Sequence, residues 1–197
     1  MRQRPWRAVL RASLGGLLAV FALAGTAVAQ FRSEALGATF PVELAGYQLR
    51  NVTEYPDKRL GVALNYWRGP VNATVYVYDG GERGIADGAE HPFTRGMFEQ
   101  AKIDIITLRS NSEGGSPPRL VRDGVATLRE GTPAAMPILV AAYDLRLPRA
   151  YSSLLMLTAR KGNLIKLRIS LPADAPKDDV ASVRQFTEGV ADVVYGS

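Results

Sequence analysis

The chain has 197 residues, of which 24 are lysine or arginine and 19 are aspartate or glutamate, and it contains no cysteine. The lack of cysteine excludes disulfides, catalytic thiols and cysteine-ligated metal sites. The formal net charge of +5 is concentrated at the N-terminus, so it gives no general electrostatic argument for a nucleic-acid partner.

The first 29 residues have the features of a secretory signal peptide. Residues 14–24 form an apolar run that is short for a transmembrane helix, and residues 27–29, Ala-Val-Ala, match the small-x-small cleavage pattern. Four basic residues precede the run: Arg2, Arg4, Arg7 and Arg11. We therefore expect residues 1–29 to be removed, which leaves a periplasmic or secreted protein of net charge +1 with no stable membrane span. An uncleaved N-terminal anchor is the alternative.

Residues 30–197 are long enough for a single domain with its own core. We expect four short strands in its first half, the last two paired as a hairpin across Gly-Pro: residues 40–44, 47–55, 60–67 and 73–78.

An amphipathic helix is expected after residues 79–91, a loop rich in glycine and acidic side chains. Its apolar residues recur at helical spacing: Phe93, Met97, Ala101, Ile105 and Leu108. Asp104 lies at the edge of this stripe, and we expect a boundary carboxylate that faces solvent or Lys102. A buried acid with a raised pKa is the alternative. Residues 111–118 are expected to form a second loop.

Four strands and a second helix are expected in the second half. The strands are residues 125–130, 138–147, 151–158 and 164–171, and residues 154–157 are apolar on both faces, as in a central strand. The helix should begin near Asp178, with an apolar stripe of Val180, Val183, Thr187, Val190 and Val194. Because the strands follow one another through short loops, we predict an α+β fold, a mainly antiparallel sheet flanked by two helices.

The end of the chain resembles a known family. An apolar strand, a basic-glycine turn, a strand with Leu-x-Lys-x-Arg-x-Ser, a proline-containing loop and an amphipathic C-terminal helix are similar to the Mog1/PsbP-like α/β/α sandwich. Segments 73–81, ATVYVYDGG, and 157–172, LTARKGNLIKLRISLP, also resemble uncharacterised exported proteobacterial proteins. The resemblance implies a fold. It implies no catalytic residue, because members of the family differ in function.

Motifs for catalysis are missing from the sequence. The chain has one histidine, His91, and no G-x-S-x-G motif. A hydrolytic triad would have to use His91, with a nucleophile and an acid from elsewhere in the chain. Residues 79–90 resemble a calcium loop, but Gly81 and Arg83 stand where oxygen ligands are needed. Neither a metal set nor a nucleotide loop is present. We therefore expect no catalytic residue, metal or cofactor.

These observations favour a non-enzymatic binding or accessory module for an unknown protein or small ligand of the cell envelope, with no nucleic acid as partner. One alternative is an unrecognised periplasmic hydrolase or ligand-modifying enzyme that uses the loop at residues 79–91. Another is a structural envelope protein that associates with copies of itself.

Two groups of residues are candidates for ligand binding. Lys166 and Arg168 share one face of the last strand, with Arg160 and Lys161 in the preceding turn, and aligned cations can bind an anion. A charge-protected edge strand explains the same pattern and is commoner. The second group is aromatic, with Tyr76 and Tyr78 on one face and Trp67 expected across from one of them; ordinary packing is again the commoner explanation. Tyr66, on the strand next to that of Tyr76 and Tyr78, belongs to the same aromatic group.

Overall fold

A computed structural model of the chain describes residues 30–110, 117–146 and 150–196. The expected signal peptide lies outside these residues, so its cleavage remains a prediction. The described part contains ten strands, two α-helices and a 3₁₀ turn at Lys58–Leu60. In chain order the strands and helices are β1 Phe31–Ser33, β2 Ala38–Phe40, β3 Glu43–Leu44, β4 Tyr47–Glu54, β5 Val62–Arg68, β6 Val71–Tyr78, α1 Pro92–Ser110, β7 Arg119–Leu128, β8 Met136–Leu145, β9 Tyr151–Arg160, β10 Asn163–Pro172 and α2 Lys177–Tyr195.

Eight of the strands form one sheet in the order β3-β4-β5-β6-β10-β9-β8-β7, and β1 and β2 form a separate hairpin. All strand pairs in the described part are antiparallel. The expected α+β fold with a mainly antiparallel sheet and two helices is confirmed. The hairpin predicted for residues 60–67 and 73–78 is also confirmed, because β5 pairs with β6 from Val62 opposite Val77 to Arg68 opposite Val71.

The sheet separates two apolar cores, because successive residues of a strand point to opposite faces. On β8, Ile138 and Val140 belong to one core, while Leu139 and Ala141 belong to the other. Helix α2 contributes to the first core and α1 to the second. The molecule therefore has three layers, with one helix on each face of the sheet.

Helix α2 packs through an aromatic contact that the predicted stripe did not include. The ring of Phe186 is fully buried, 4.6 Å from the ring centroid of Tyr47 and 5.4 Å from that of Tyr66. Val190 is buried as expected, but Val180 is 55% exposed. The stripe was therefore correct for the second half of the helix and wrong at its start.

Helix α1 packs on β8 and β9. The buried residues of its stripe are Ala101 and Ile105, and Phe98, which was not predicted, is buried with them. Leu108 is 73% exposed, contrary to the expectation, because the last turn extends beyond the buried face. None of the helices in the described ranges is long and apolar enough to cross a membrane.

The strand order corrects the interpretation of residues 164–171 as an edge strand. β10 lies between β6 and β9 in the middle of the sheet, so it is not an edge strand. Its charged residues therefore do not protect an edge. The central position expected for residues 154–157 is confirmed, since β9 lies between β10 and β8. The first expected strand, residues 40–44, is divided at Pro41 into the ends of β2 and β3.

Candidate functional site

Four of the sequence-predicted residues meet on the α1 side of the sheet. The register of β6 and β10 places Lys166 opposite Tyr76, and Tyr78 opposite Leu164, the residue two positions before Lys166. Arg168 is two positions after Lys166, so it points to the same side. We call the surface formed by Tyr76, Tyr78, Lys166 and Arg168 the cationic face.

Lys166 lies between the two tyrosines. Its Nζ is 4.6 Å from the ring centroid of Tyr76 and 5.3 Å from that of Tyr78, within the range of cation–π attraction. Burial lowers the pKa of Lys166, and the neighbouring charge of Arg168 lowers it further, while Asp104 acts in the opposite direction. The protein therefore holds an ammonium group in a place that disfavours its charge.

Arg168 adds a second cation to this surface. One of its Nη atoms donates a hydrogen bond to Oγ of Ser153 on the neighbouring strand β9, at 3.1 Å. The side chain is half-buried. A guanidinium in this setting presents a planar set of donors that suits a carboxylate or a phosphate.

The two tyrosines stay protonated in the folded protein. Burial raises the pKa of Tyr78 to about 12, with a smaller contribution from Asp104. Burial also raises the pKa of Tyr76. At neutral pH both hydroxyls are therefore neutral.

Helix α1 brings one acid near the cationic face. Asp104 is exposed, as expected from its place at the edge of the stripe, and its carboxylate accepts a hydrogen bond from Nε2 of Gln100 at 2.9 Å. Lys102 is not its partner, since its Nζ binds Asp123 at 2.6 Å and Glu99 at 2.8 Å. Asp104 acts on Lys166 and Tyr78 only through its charge.

The other two predicted cations have partners within the fold. Arg160 forms an ion pair with Asp87 at 2.6 Å and lies over the ring of Tyr195 at 4.6 Å. Lys161 donates from Nζ to the carbonyl of Leu36 at 2.7 Å, and its backbone N–H donates to Asp87. Arg160 and Lys161 are therefore not part of the cationic face. Their contacts hold the β9–β10 turn against the rest of the fold.

The aromatic group is also divided. Tyr66 lies in the core on the α2 side, where its hydroxyl donates to the carbonyl of Pro41 at 2.8 Å. Trp67 points to the α1 side but lies opposite Asn72, so the expectation that it faces Tyr76 or Tyr78 is wrong. Its side chain is 44% exposed.

Sequence reasoning missed a row of polar side chains beside the cationic face. Asn72 donates to Asn65 at 3.0 Å, and Asn65 donates to Thr74 at 3.2 Å. Thr74 lies opposite Arg168. The alternation of β5 and β6 places these residues on the face opposite the apolar one, so the signal was present in the strand pattern.

Three titratable side chains of the loop at residues 79–91 make contacts that hold the surrounding fold. Nδ1 of His91 accepts a hydrogen bond from the backbone N–H of Phe93 at 3.3 Å, as a cap of α1. Glu90 forms an ion pair with Arg95, and Asp87 binds the β9–β10 turn. In the described ranges no group of three or more histidine and acidic residues is placed to hold a metal ion.

Comparison with known proteins adds no relative: no family model matches the chain, and no curated protein matches it.

Proposed function

We propose that the protein is an exported, non-enzymatic binding module that takes an anionic ligand on the cationic face. The observation that carries this proposal is the position of Lys166 and Arg168 on the central strand β10. Two half-buried cations on a central strand have no edge to protect. Burial lowers the pKa of Lys166, and the charge of Arg168 lowers it further. An anion bound between the two side chains would favour the charged form of Lys166 and so oppose both shifts.

The surroundings of the two cations indicate what kind of anion fits. Tyr76 is half-buried and keeps part of its ring exposed, whereas Tyr78 is buried in the core on the α1 side, and neither supplies a negative charge at neutral pH. A carboxylate or phosphate can accept from Lys166 and Arg168 while a flat apolar body lies against the exposed part of the Tyr76 ring. We therefore propose an organic anion with a planar apolar part as the ligand.

Fold and location support the same proposal. The N-terminal sequence has the features expected of a secretory signal peptide, and the sheet between two helices is consistent with the proposed Mog1/PsbP-like sandwich. Binding modules of the cell envelope need no catalytic set. The side chains around Lys166 suit recognition, because they supply donors and aromatic surface.

Titration calorimetry on residues 30–197 tests the proposal with three probes: benzoate, phenyl phosphate and the neutral isostere benzamide. We expect both anions to bind and benzamide to bind at least tenfold more weakly. Lys166→Met and Arg168→Met should each weaken anion binding by tenfold or more, because a charge-assisted hydrogen bond contributes about 1.5–3 kcal/mol.

Lys161→Met is the matched control, because Lys161 lies on the same hairpin but is bonded to the carbonyl of Leu36. It should leave the affinity for benzoate unchanged. Equal binding of benzoate and benzamide would contradict an anion site. Release of phenol from phenyl phosphate would contradict the non-enzymatic part of the proposal.

A further inference from the structure

A second surface lies at the far edge of the sheet, away from the cationic face. Strand β7 is the last strand and pairs with β8 alone among the described strands. Its first seven residues are all exposed, including Leu120, Val121 and Val125, at 48%, 54% and 51%. The opposite edge is formed by β3, which has only two residues. An edge strand has a row of outward backbone N–H and C=O groups that can pair with another strand.

Both faces of β7 border a groove. On the α1 side, a groove of about 360 Å³ is lined by Val125 together with Phe98 and Leu139. On the α2 side, a groove of about 600 Å³ is lined by Arg122 together with Leu128 and Arg184. Each groove therefore lies between a helix and the sheet at β7. A strand added to β7 would place its side chains alternately in the two grooves.

The two grooves differ in chemistry. The α1-side groove has the apolar side chains of Phe98, Val125 and Leu139 beside charged groups that are already paired: Lys102 binds Asp123 at 2.6 Å and Glu99 at 2.8 Å, and Arg95 pairs with Glu90. The α2-side groove is lined by three arginines and two glutamates. Arg129 is held by Asp192 and Arg184 by Glu188, both at 2.8 Å, while Arg122 is exposed on β7 itself. An incoming segment therefore meets apolar surface on one side and an arginine on the other.

A bulge sets the length of this surface. The register of β7 on β8 shifts between Leu120 and Arg122, and bulges interrupt strand addition. From Arg122 to Leu128 the pairing is regular. Seven residues offer three or four positions to each groove.

We propose that the outer edge of β7, from Arg122 to Leu128, receives an extended segment of another protein in which acidic residues alternate with aliphatic ones. The aliphatic side chains enter the α1-side groove beside Val125. The acidic ones enter the α2-side groove near Arg122. The backbone of the segment pairs with β7 and continues the sheet.

Peptide binding to residues 30–197 tests this proposal. The probe is an acetylated and amidated seven-residue peptide with alternating valine and glutamate; its controls have lysine in place of glutamate, or N-methyl groups on alternate residues. We expect the glutamate peptide to bind and to slow hydrogen exchange in residues 119–128, and both controls to bind at least tenfold more weakly. Arg122→Glu should reverse the preference between the glutamate and lysine peptides.

Three results would overturn the proposal. One is no binding of the glutamate peptide at millimolar concentration, and another is binding without protection of residues 119–128. The third is protection of β7 by self-association of the free protein, measured by sedimentation, which would make a second copy the occupant. None of these results affects benzoate binding at the cationic face, because that face lies on β6 and β10.

Discussion

Replacing Gly61 by alanine is expected to destabilise the hairpin that places Tyr76 and Tyr78. Gly61 joins the 3₁₀ turn to β5 with φ +61° and ψ −124°. A Cβ atom there would lie 2.0 Å from the carbonyl oxygen of Val77 and 2.8 Å from Cα of Tyr78. Both atoms belong to the backbone of β6, so no side-chain rotation can relieve the contact.

Two costs add up at this position. A side chain at such a φ and ψ costs about 1–3 kcal/mol. Moving β5 away from the backbone of β6 costs about 1–3 kcal/mol more, as in an overpacked core. A domain of this size loses roughly 2–4 °C of Tm for each kcal/mol. We therefore expect the Tm of Gly61→Ala to fall by about 12 °C, taking the middle of these ranges.

Thermal unfolding of residues 30–197, followed by circular dichroism, measures this effect. Gly69→Ala is the matched control, since Gly69 has φ +51° but nothing within 4 Å of an added Cβ. Gly69→Ala should lower the stability by only about 1–2 kcal/mol, the cost of a side chain in the left-handed backbone region. Equal losses of Tm in the two variants would refute the steric argument and the close approach of β5 to β6.

Two further predictions concern tyrosine ionisation and the β9–β10 turn. Because Tyr78 has a pKa of about 12 in the folded protein and about 10 when unfolded, the unfolded state loses its proton first, and stability falls between pH 10 and pH 12. Urea unfolding measures the free energy of unfolding of wild type and Tyr78→Phe over that pH range. The variant should lose up to about 3 kcal/mol less stability than wild type between pH 10 and pH 12. Equal losses in the two proteins would contradict the raised pKa. Asp87→Asn should lower stability by about 1–3 kcal/mol, because it weakens the bonds to Arg160 and Lys161, yet leave benzoate affinity unchanged; a tenfold loss of affinity would place the turn in the site.

Local patterns predicted the strands because alternation is a property of neighbouring residues. Leu64 and Tyr66 of β5 are fully buried, whereas Trp67 is exposed, as the alternation predicts. The predicted strand began too early, because Leu60 belongs to the 3₁₀ turn and is 53% exposed. The buried faces of the helices were harder to predict, because apolar residues also stand on neighbouring faces of each helix. Whether Leu108 is buried depends on where the sheet ends beneath α1, and no local pattern contains that information.

Strand order was the decisive element that the sequence did not reveal. A strand with one polar face looks the same at the edge of a sheet and in its centre. β10 is central because it pairs with β6, with Lys166 opposite Tyr76, and these residues are far apart in the chain. The common side of Lys166 and Arg168 follows from the strand period. The contact of Lys166 with the two tyrosines follows only from the register of β6 and β10.

The titration of Lys166 tests the central claim most directly. The chain has five lysines, so the NMR spectrum of protein labelled with ¹³C-lysine has few side-chain signals. The signal that is missing in Lys166→Met belongs to Lys166. Burial lowers the pKa of Lys166 in the free protein, and a bound anion stabilises the ammonium form. We predict that saturating benzoate raises the pKa of Lys166 by at least one unit, the equivalent of a tenfold change in affinity. An unchanged titration of Lys166 in the presence of benzoate would contradict the account.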